Sequence, residues 1–217
     1  YPKNSRIVLM KFTLKNNFKY PLFLFFYHLA FVFVSYQYVV KNNGDSFLYW
    51  WQKPSFENYN HWTFQNFGTK IVMLINYPLV KIGVPFFAGF IIYAIVGFLG
   101  IFYFYKTLKK LSASNDYIAK YYVLELFFLL PNLHFWNTII GKEPIVFTAL
   151  ATALYLFLQK KHKAFIFCLL VVAIIRPHIF LMAMISMLLF ILLSNRFSVN
   201  KKIFYAFGFV LITFGLG

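Results

Sequence analysis

The chain predicts an all-α fold: a multi-pass transmembrane helical bundle of about seven spans, some short or broken, with a long outer loop that carries an interfacial helix. Two observations carry that expectation. Hydrophobic residues make up 61% of the 217 residues and charged ones only 12%, a balance that several bilayer spans need and a soluble domain of this length does not. The cations form short clusters between apolar runs and no stripe on a polar domain, so the net charge of +16 points to membrane topology and away from nucleic acid. One integral membrane domain, residues 1–217, holds the whole pattern. The start at Tyr1 and the end at Gly217 inside an apolar run lead us to expect further sequence on both sides.

The apolar runs define the expected spans in order: residues 21–40, 84–105, 118–136, 144–158, 164–175, 179–193 and 203–217. The first follows five Lys/Arg residues and has no small-residue cleavage site after it, so it reads as a signal-anchor helix that stays in place. Several of the others fall short of the roughly 20 residues a full crossing needs. Pro131, Pro144 and Pro177 mark breaks, because proline lacks the N–H that continues a helix. Between the first two spans, residues 41–83 form a polar and aromatic loop containing Trp50, Trp51 and Trp62. Its second part, residues 70–81, has enough apolar side chains for a short interfacial helix and too few to span.

Orientation follows from the basic residues. With the N-terminus cytoplasmic, the inner side takes Lys3, Arg6, Lys11, Lys15, Lys19, Lys106, Lys109, Lys110, Lys120, Lys160, Lys161, Lys163, Arg196, Lys201 and Lys202. The outer side keeps only Lys41, Lys53, Lys70, Lys81, Lys142 and Arg176. That asymmetry obeys the positive-inside rule.

The unusual polar residues then collect on the outer side. Asp45 follows the first span; His134, Lys142 and Glu143 lie around the next outer turn; Arg176 and His178 interrupt the otherwise uncharged run 164–194. An arginine in such a run calls for a polar cavity, an anionic partner or the interface. Each residue has a second reading. Asp45 suits a turn or helix cap beside Gly44, Glu143 suits the positive end of the helix that follows it, Arg176 can snorkel to headgroups, and His134 and His178 suit hydrogen-bonded interfacial positions. His28 and His162 attract no chemical role, and Glu125 is a lone carboxylate within an apolar run. The single Cys168 rules out a disulfide framework and a cysteine metal pair. There is no His-x-x-x-His pair, Gly-rich phosphate loop or Gly-x-Ser-x-Gly elbow.

Carboxylates beside cations suit a lipid-linked phosphate. Arg176 and Lys142, with His134 and His178, are the candidate phosphate binders; Asp45 and Glu143 are the candidate catalytic carboxylates. No protein metal site is expected, although a divalent cation held by Asp45, Glu143 and substrate phosphate is compatible with the residues. An aspartate at this place can take a proton from an attacking sugar hydroxyl while the cations stabilise the departing phosphate.

At Asn43-Gly44-Asp45-Ser46-Phe47-Leu48-Tyr49, followed by residues 70–81, the layout resembles the GT-C superfamily of polyprenyl-phosphate-dependent membrane glycosyltransferases. Leu130-Pro131-Asn132-Leu133-His134-Phe135-Trp136, Gly141-Lys142-Glu143 and Arg176-Pro177-His178 are similar to stretches of uncharacterised multi-pass proteins of Bacteroidetes envelope-polysaccharide loci. The resemblance implies a cytoplasmic N-terminus, a bacterial inner-membrane location, a lipid-linked sugar as partner, and Asp45 as the catalytic base. No Asp-x-Asp or Glu-x-Asp pair accompanies Asp45, so the resemblance carries over the aspartate alone. Two other classes suit the same residues: a polysaccharide polymerase or ligase acting on polyprenyl-diphosphate glycans, and a non-enzymatic subunit of an envelope complex that binds membrane lipids or partner helices.

The orientation is testable directly. In sealed cells expressing a Cys168→Ala background, a cysteine placed at Lys41 should react with a membrane-impermeant thiol reagent, and one at Lys109 only after permeabilisation; the reverse pattern would invert the topology.

Overall fold

The computed structural model describes residues 19–51, 64–112, 123–194, 198–200 and 208. These residues form nine main helices and no strand: α1 (Lys19–Asn42), α2 (Ser46–Trp51), α3 (Phe64–Lys81), α4 (Phe86–Ser112), α5 (Val123–Phe127), α6 (Pro131–Trp136), α7 (Lys142–Leu158), α8 (His162–Ile175) and α9 (Pro177–Leu193).

Two of them, α1 and α4, are long and apolar enough to cross a membrane. At about 1.5 Å per residue they reach roughly 36 and 40 Å, more than the ~30 Å of a hydrocarbon core. The expected seven spans are not all realised as spanning helices. α7 and α9 have 17 residues each and α8 has 14, and the described part of the third expected span, residues 123–136, does not form one helix. α5 ends at Phe127, and a turn leads to Leu130, whose ψ of 119° is the extended conformation required before Pro131. Pro131 then opens the short α6. The seventh expected span, residues 203–217, lies outside the described residues apart from Gly208, as does Trp62.

Ring contacts fix the helix directions. Tyr20 at the start of α1 meets Tyr105 near the end of α4 at 5.3 Å, and Tyr36 near the end of α1 meets Phe90 near the start of α4 at 5.5 Å, so these helices run antiparallel. α7 follows the direction of α4, with Ile140 near Gly89, Thr148 near Gly100, and Tyr155 at 5.1 Å from Tyr103. α8 turns back along α7, its Phe165 5.5 Å from Phe157. The C-terminus of α1, the N-termini of α4 and α7, and the α8–α9 junction therefore share one end. Lys106, Lys109, Lys110, Lys160, Lys161 and Lys163 lie toward the other.

α4 packs most extensively against α7. A methyl group on Gly97 or Gly100 would collide with the Asn137 carbonyl or with Thr148, respectively, and α7 itself buries the small Ala149, Ala151 and Ala153. Small residues let helix backbones approach where lipid is no less apolar than leucine. Thr148 Oγ1 then donates to the Val96 carbonyl across the seam at 2.7 Å. The outward faces are apolar: α1 exposes Leu22, Phe23, Phe26, Phe33 and Val34, and α9 buries no residue. Such surfaces fit contact with lipid or further helices.

α3 is longer than the expected interfacial helix and is partly embedded. It buries Val72, Met73 and Asn76 while exposing Leu74, Ile75 and Tyr77.

Three helices end in the same hydrogen-bonded device. Gly44 N–H donates to the Val39 carbonyl at 3.2 Å, Val84 N–H to Leu79 at 3.0 Å, and Lys161 N–H to Leu156 at 3.0 Å. The residue between cap and acceptor turn has positive φ each time: Asn43 at 49°, Gly83 at 82° and Lys160 at 59°. This is the Schellman closure, which favours glycine at that position. Lys160→Gly should accordingly stabilise the chain by about 1 kcal/mol, and Gly83→Ala destabilise it by a similar amount. Reversible denaturation in detergent micelles measures both; equal midpoints for all three chains would contradict the strain argument.

Candidate functional site

Three turns meet at the shared end of the bundle. The first is Asn43-Gly44-Asp45, released by the end of α1. The Asp45 carbonyl accepts the Tyr49 N–H at 3.1 Å and so begins α2, which leaves the Asp45 side chain exposed. Ser46, fully buried behind it, donates its hydroxyl to the Ile140 carbonyl at 2.8 Å. That bond ties the first turn to the second, residues 137–141.

The second turn delivers Lys142 and Glu143 at the start of α7. Gly141 leaves room for Glu143 to fold back: a β-carbon there would lie 2.9 Å from Glu143 Oε2 and 3.6 Å from the Tyr49 ring. The third turn is Arg176, wedged between α8 and α9. Its N–H donates to Val172 at 2.8 Å, and its carbonyl accepts from Ile179 and Phe180 at 3.0 and 3.1 Å. Its guanidinium forms an ion pair with Glu143. The two side chains are 30% and 40% exposed, so the pair sits at a boundary and not in the deep interior. Gly68 of α3 presses directly on the Ile175 carbonyl and sets the depth of this junction.

Tyr49 stands among these groups. It is buried, its phenol hydrogen bonds with Thr69 of α3, and its carbonyl accepts from Asn76 Nδ2 at 3.1 Å. Tyr93 in turn donates to Asn76 Oδ1 at 3.0 Å. Burial pushes the Tyr49 phenol above its ordinary value; the charges of Glu143 and Asp45 push the same way, and Arg176 opposes them. Burial pushes the Lys142 ammonium down, aided by Arg176 and opposed by Glu143 and Asp45. Asp45, Lys142, Glu143 and Arg176 thus share one electrostatic environment.

One expectation needs correction. The direct partner of Arg176 is Glu143, and His134 does not belong to the cluster. That residue is fully buried in the bundle, 2.9 Å from His28 through the two Nδ1 atoms, because α6 begins only at Pro131 and its short turn points this ring inward toward α1. His178 lies exposed on the first turn of α9; the charges acting on Tyr49 and Lys142 come from Asp45, Glu143 and Arg176. Two positions were missed. Tyr49 is one of 16 tyrosines and carries no local signal; His28 gains its partner only from the fold.

Among the described residues, no three His, Cys, Asp or Glu side chains gather as metal ligands. Chemically, the cluster offers an exposed carboxylate at Asp45, an ammonium that gives up its proton more readily than usual, and a guanidinium held by an exchangeable ion pair.

Compared with known proteins, the chain matches no family model, no curated protein and no solved structure.

Glu143→Gln should cost about 1 kcal/mol of stability, since screening at this exposure limits the worth of the pair. It should also lower the Lys142 titration further, because the carboxylate supports the charged form, whereas Arg176→Gln should raise it. The pH dependence of Lys142 labelling by an amine reagent reports both shifts; shifts of the opposite sign would show that the four groups do not share one field.

Proposed function

We propose that this chain is a membrane glycosyltransferase of GT-C type, moving a sugar from a polyprenyl-phosphate donor to an acceptor at the outer face of a bacterial inner membrane. The observation that carries the reading is the convergence of Asp45, Lys142, Glu143 and Arg176 from three separate turns at one end of an apolar bundle. That end is where a lipid-linked phosphate lies at the boundary between hydrocarbon and water.

In this reading the Asp45 carboxylate takes the proton from the acceptor hydroxyl. The hydroxyl oxygen attacks the anomeric carbon, the bond from that carbon to the phosphate oxygen breaks, and polyprenyl phosphate leaves with inversion. Lys142 and Arg176 neutralise the charge that grows on the leaving phosphate. Glu143 occupies the Arg176 fork until a phosphate replaces it, since a guanidinium binds either group through two parallel N–H donors. A divalent ion would draw on Asp45 and Glu143 and complete its shell from substrate oxygens. The apolar outer faces of α1 and α9 suit the polyprenyl tail and the surrounding lipid.

A second reading, a non-enzymatic subunit of an envelope complex, is favoured by one observation: the ion pair of Arg176 with Glu143 already satisfies the arginine within the chain. In that case the cluster is a clasp between α7 and the α8–α9 junction.

Asp45→Asn separates the two. In the transferase it should lower transfer from a polyprenyl-phosphate sugar by about 10²- to 10⁴-fold, with expression and membrane insertion unchanged. Full retained transfer would overturn the assignment of the base, and assembly that survives Asp45→Asn but is lost on Arg176→Gln, with no transfer by the unaltered chain, would favour the subunit.

A further inference from the structure

His28 and His134 are both fully buried, one on α1 and the other on α6, and their ring nitrogens have specific partners. His134 Nε2 lies 2.7 Å from the Phe128 carbonyl, His28 Nε2 lies 3.0 Å from the Ala94 carbonyl, and the two Nδ1 atoms face each other at 2.9 Å. A carbonyl oxygen only accepts, so each Nε2 must carry a hydrogen to bond it. Two neutral imidazoles supply two hydrogens in all, and the two carbonyls take both. The facing Nδ1 atoms would then meet lone pair to lone pair. Moving a hydrogen to either Nδ1 relieves that clash and creates another, a bare Nε2 against a carbonyl oxygen. All three contacts are made together only with a third hydrogen, which gives the pair one positive charge.

We propose that His28 and His134 form a proton-binding site in the core of the bundle, holding one proton between their Nδ1 atoms and, in that state, tying α1 to α4 and to α6. The surroundings define what competes with it. From α1 come the Tyr27 ring, edge-on to His134 at 4.8 Å with its hydroxyl donating to the Leu129 carbonyl, and the Phe31 ring at 5.5 Å. From α4 comes Phe98, 6.0 Å from His28. The other histidine is the titratable group that acts on His28, and no further acidic or basic side chain acts electrostatically on either ring among the described residues. Among those residues, no carboxylate neutralises the bound proton. The site takes one proton and repels a second, because two imidazolium rings would put two N–H groups nose to nose. Burial without a counter-ion opposes the charge, and three charge-assisted hydrogen bonds favour it. Ionisable groups held within membrane bundles are by default functional, and this site is independent of the outer cluster.

The test counts hydrogens. A chain with His61, His162 and His178 changed to Gln leaves only the pair, and in lipid nanodiscs its ¹⁵N-labelled imidazoles report which ring nitrogens carry hydrogen. As pH is lowered from about 8 to about 5, the range in which histidine titrates, three of the four nitrogens should become protonated, the third with one strongly deshielded proton shared by both Nδ1 atoms. His134→Phe should abolish that shared signal and leave His28 with a single N–H. Two protonated nitrogens down to about pH 5 in the folded chain would overturn the proposal, as would four.

Discussion

The close approach of α4 to α7 is the constraint on which the rest depends. Gly97 and Gly100 let the α4 backbone touch the turn before α7 and the helix itself; larger residues at these places would push the two apart. With the seam closed, the 137–141 turn is held against α4, Ile140 is fully buried, and its carbonyl is placed to receive Ser46. The first and second turns are registered by that bond, which sets Asp45 against Lys142 and Glu143. Backbone proximity and internal hydrogen bonds give such a seam its specificity, and they are the contacts that hold helices together where the surroundings are as apolar as the side chains. Thr148 on Val96 and Asn76 on Tyr49 follow that logic.

Much of this was legible in the chain because apolar runs and lysine clusters are long-range patterns that survive any detail of packing. The positions of α1 and α4 follow from run length, and the gathering of Asp45, Glu143 and Arg176 at one end follows from counting turns. Helix length was less legible. Pro131 marked a break, yet the separation of α5 from α6 depends on Leu130 being extended and on Phe128 and His134 turning inward. A hydropathy window averages over that geometry and reads one span.

The site shows the same division. Sequence order can place Lys142 and Arg176 on one side, but it cannot say that Glu143 pairs with Arg176, because a pairing across 33 positions is a property of three dimensions. Tyr49 and His28 were invisible for a related reason: an aromatic or imidazole side chain in an aromatic-rich apolar run has no signature until a partner faces it. Glycines were also underread. Gly68 and Gly141 determine how closely α3 and Glu143 approach the cluster, and one glycine looks like another in a linear string.

The order of Glu143 and Arg176 along the chain has a consequence for biogenesis. Glu143 leaves the ribosome 33 residues ahead of Arg176, on a helix whose glycine-lined seat on α4 has been made earlier still. When the α8–α9 hairpin arrives with its cation in an apolar run, the carboxylate that pairs with it has already been made. Had the two residues been exchanged, the arginine would have emerged before its partner. Synthesis order thus makes the carboxylate available to the cation as the hairpin forms.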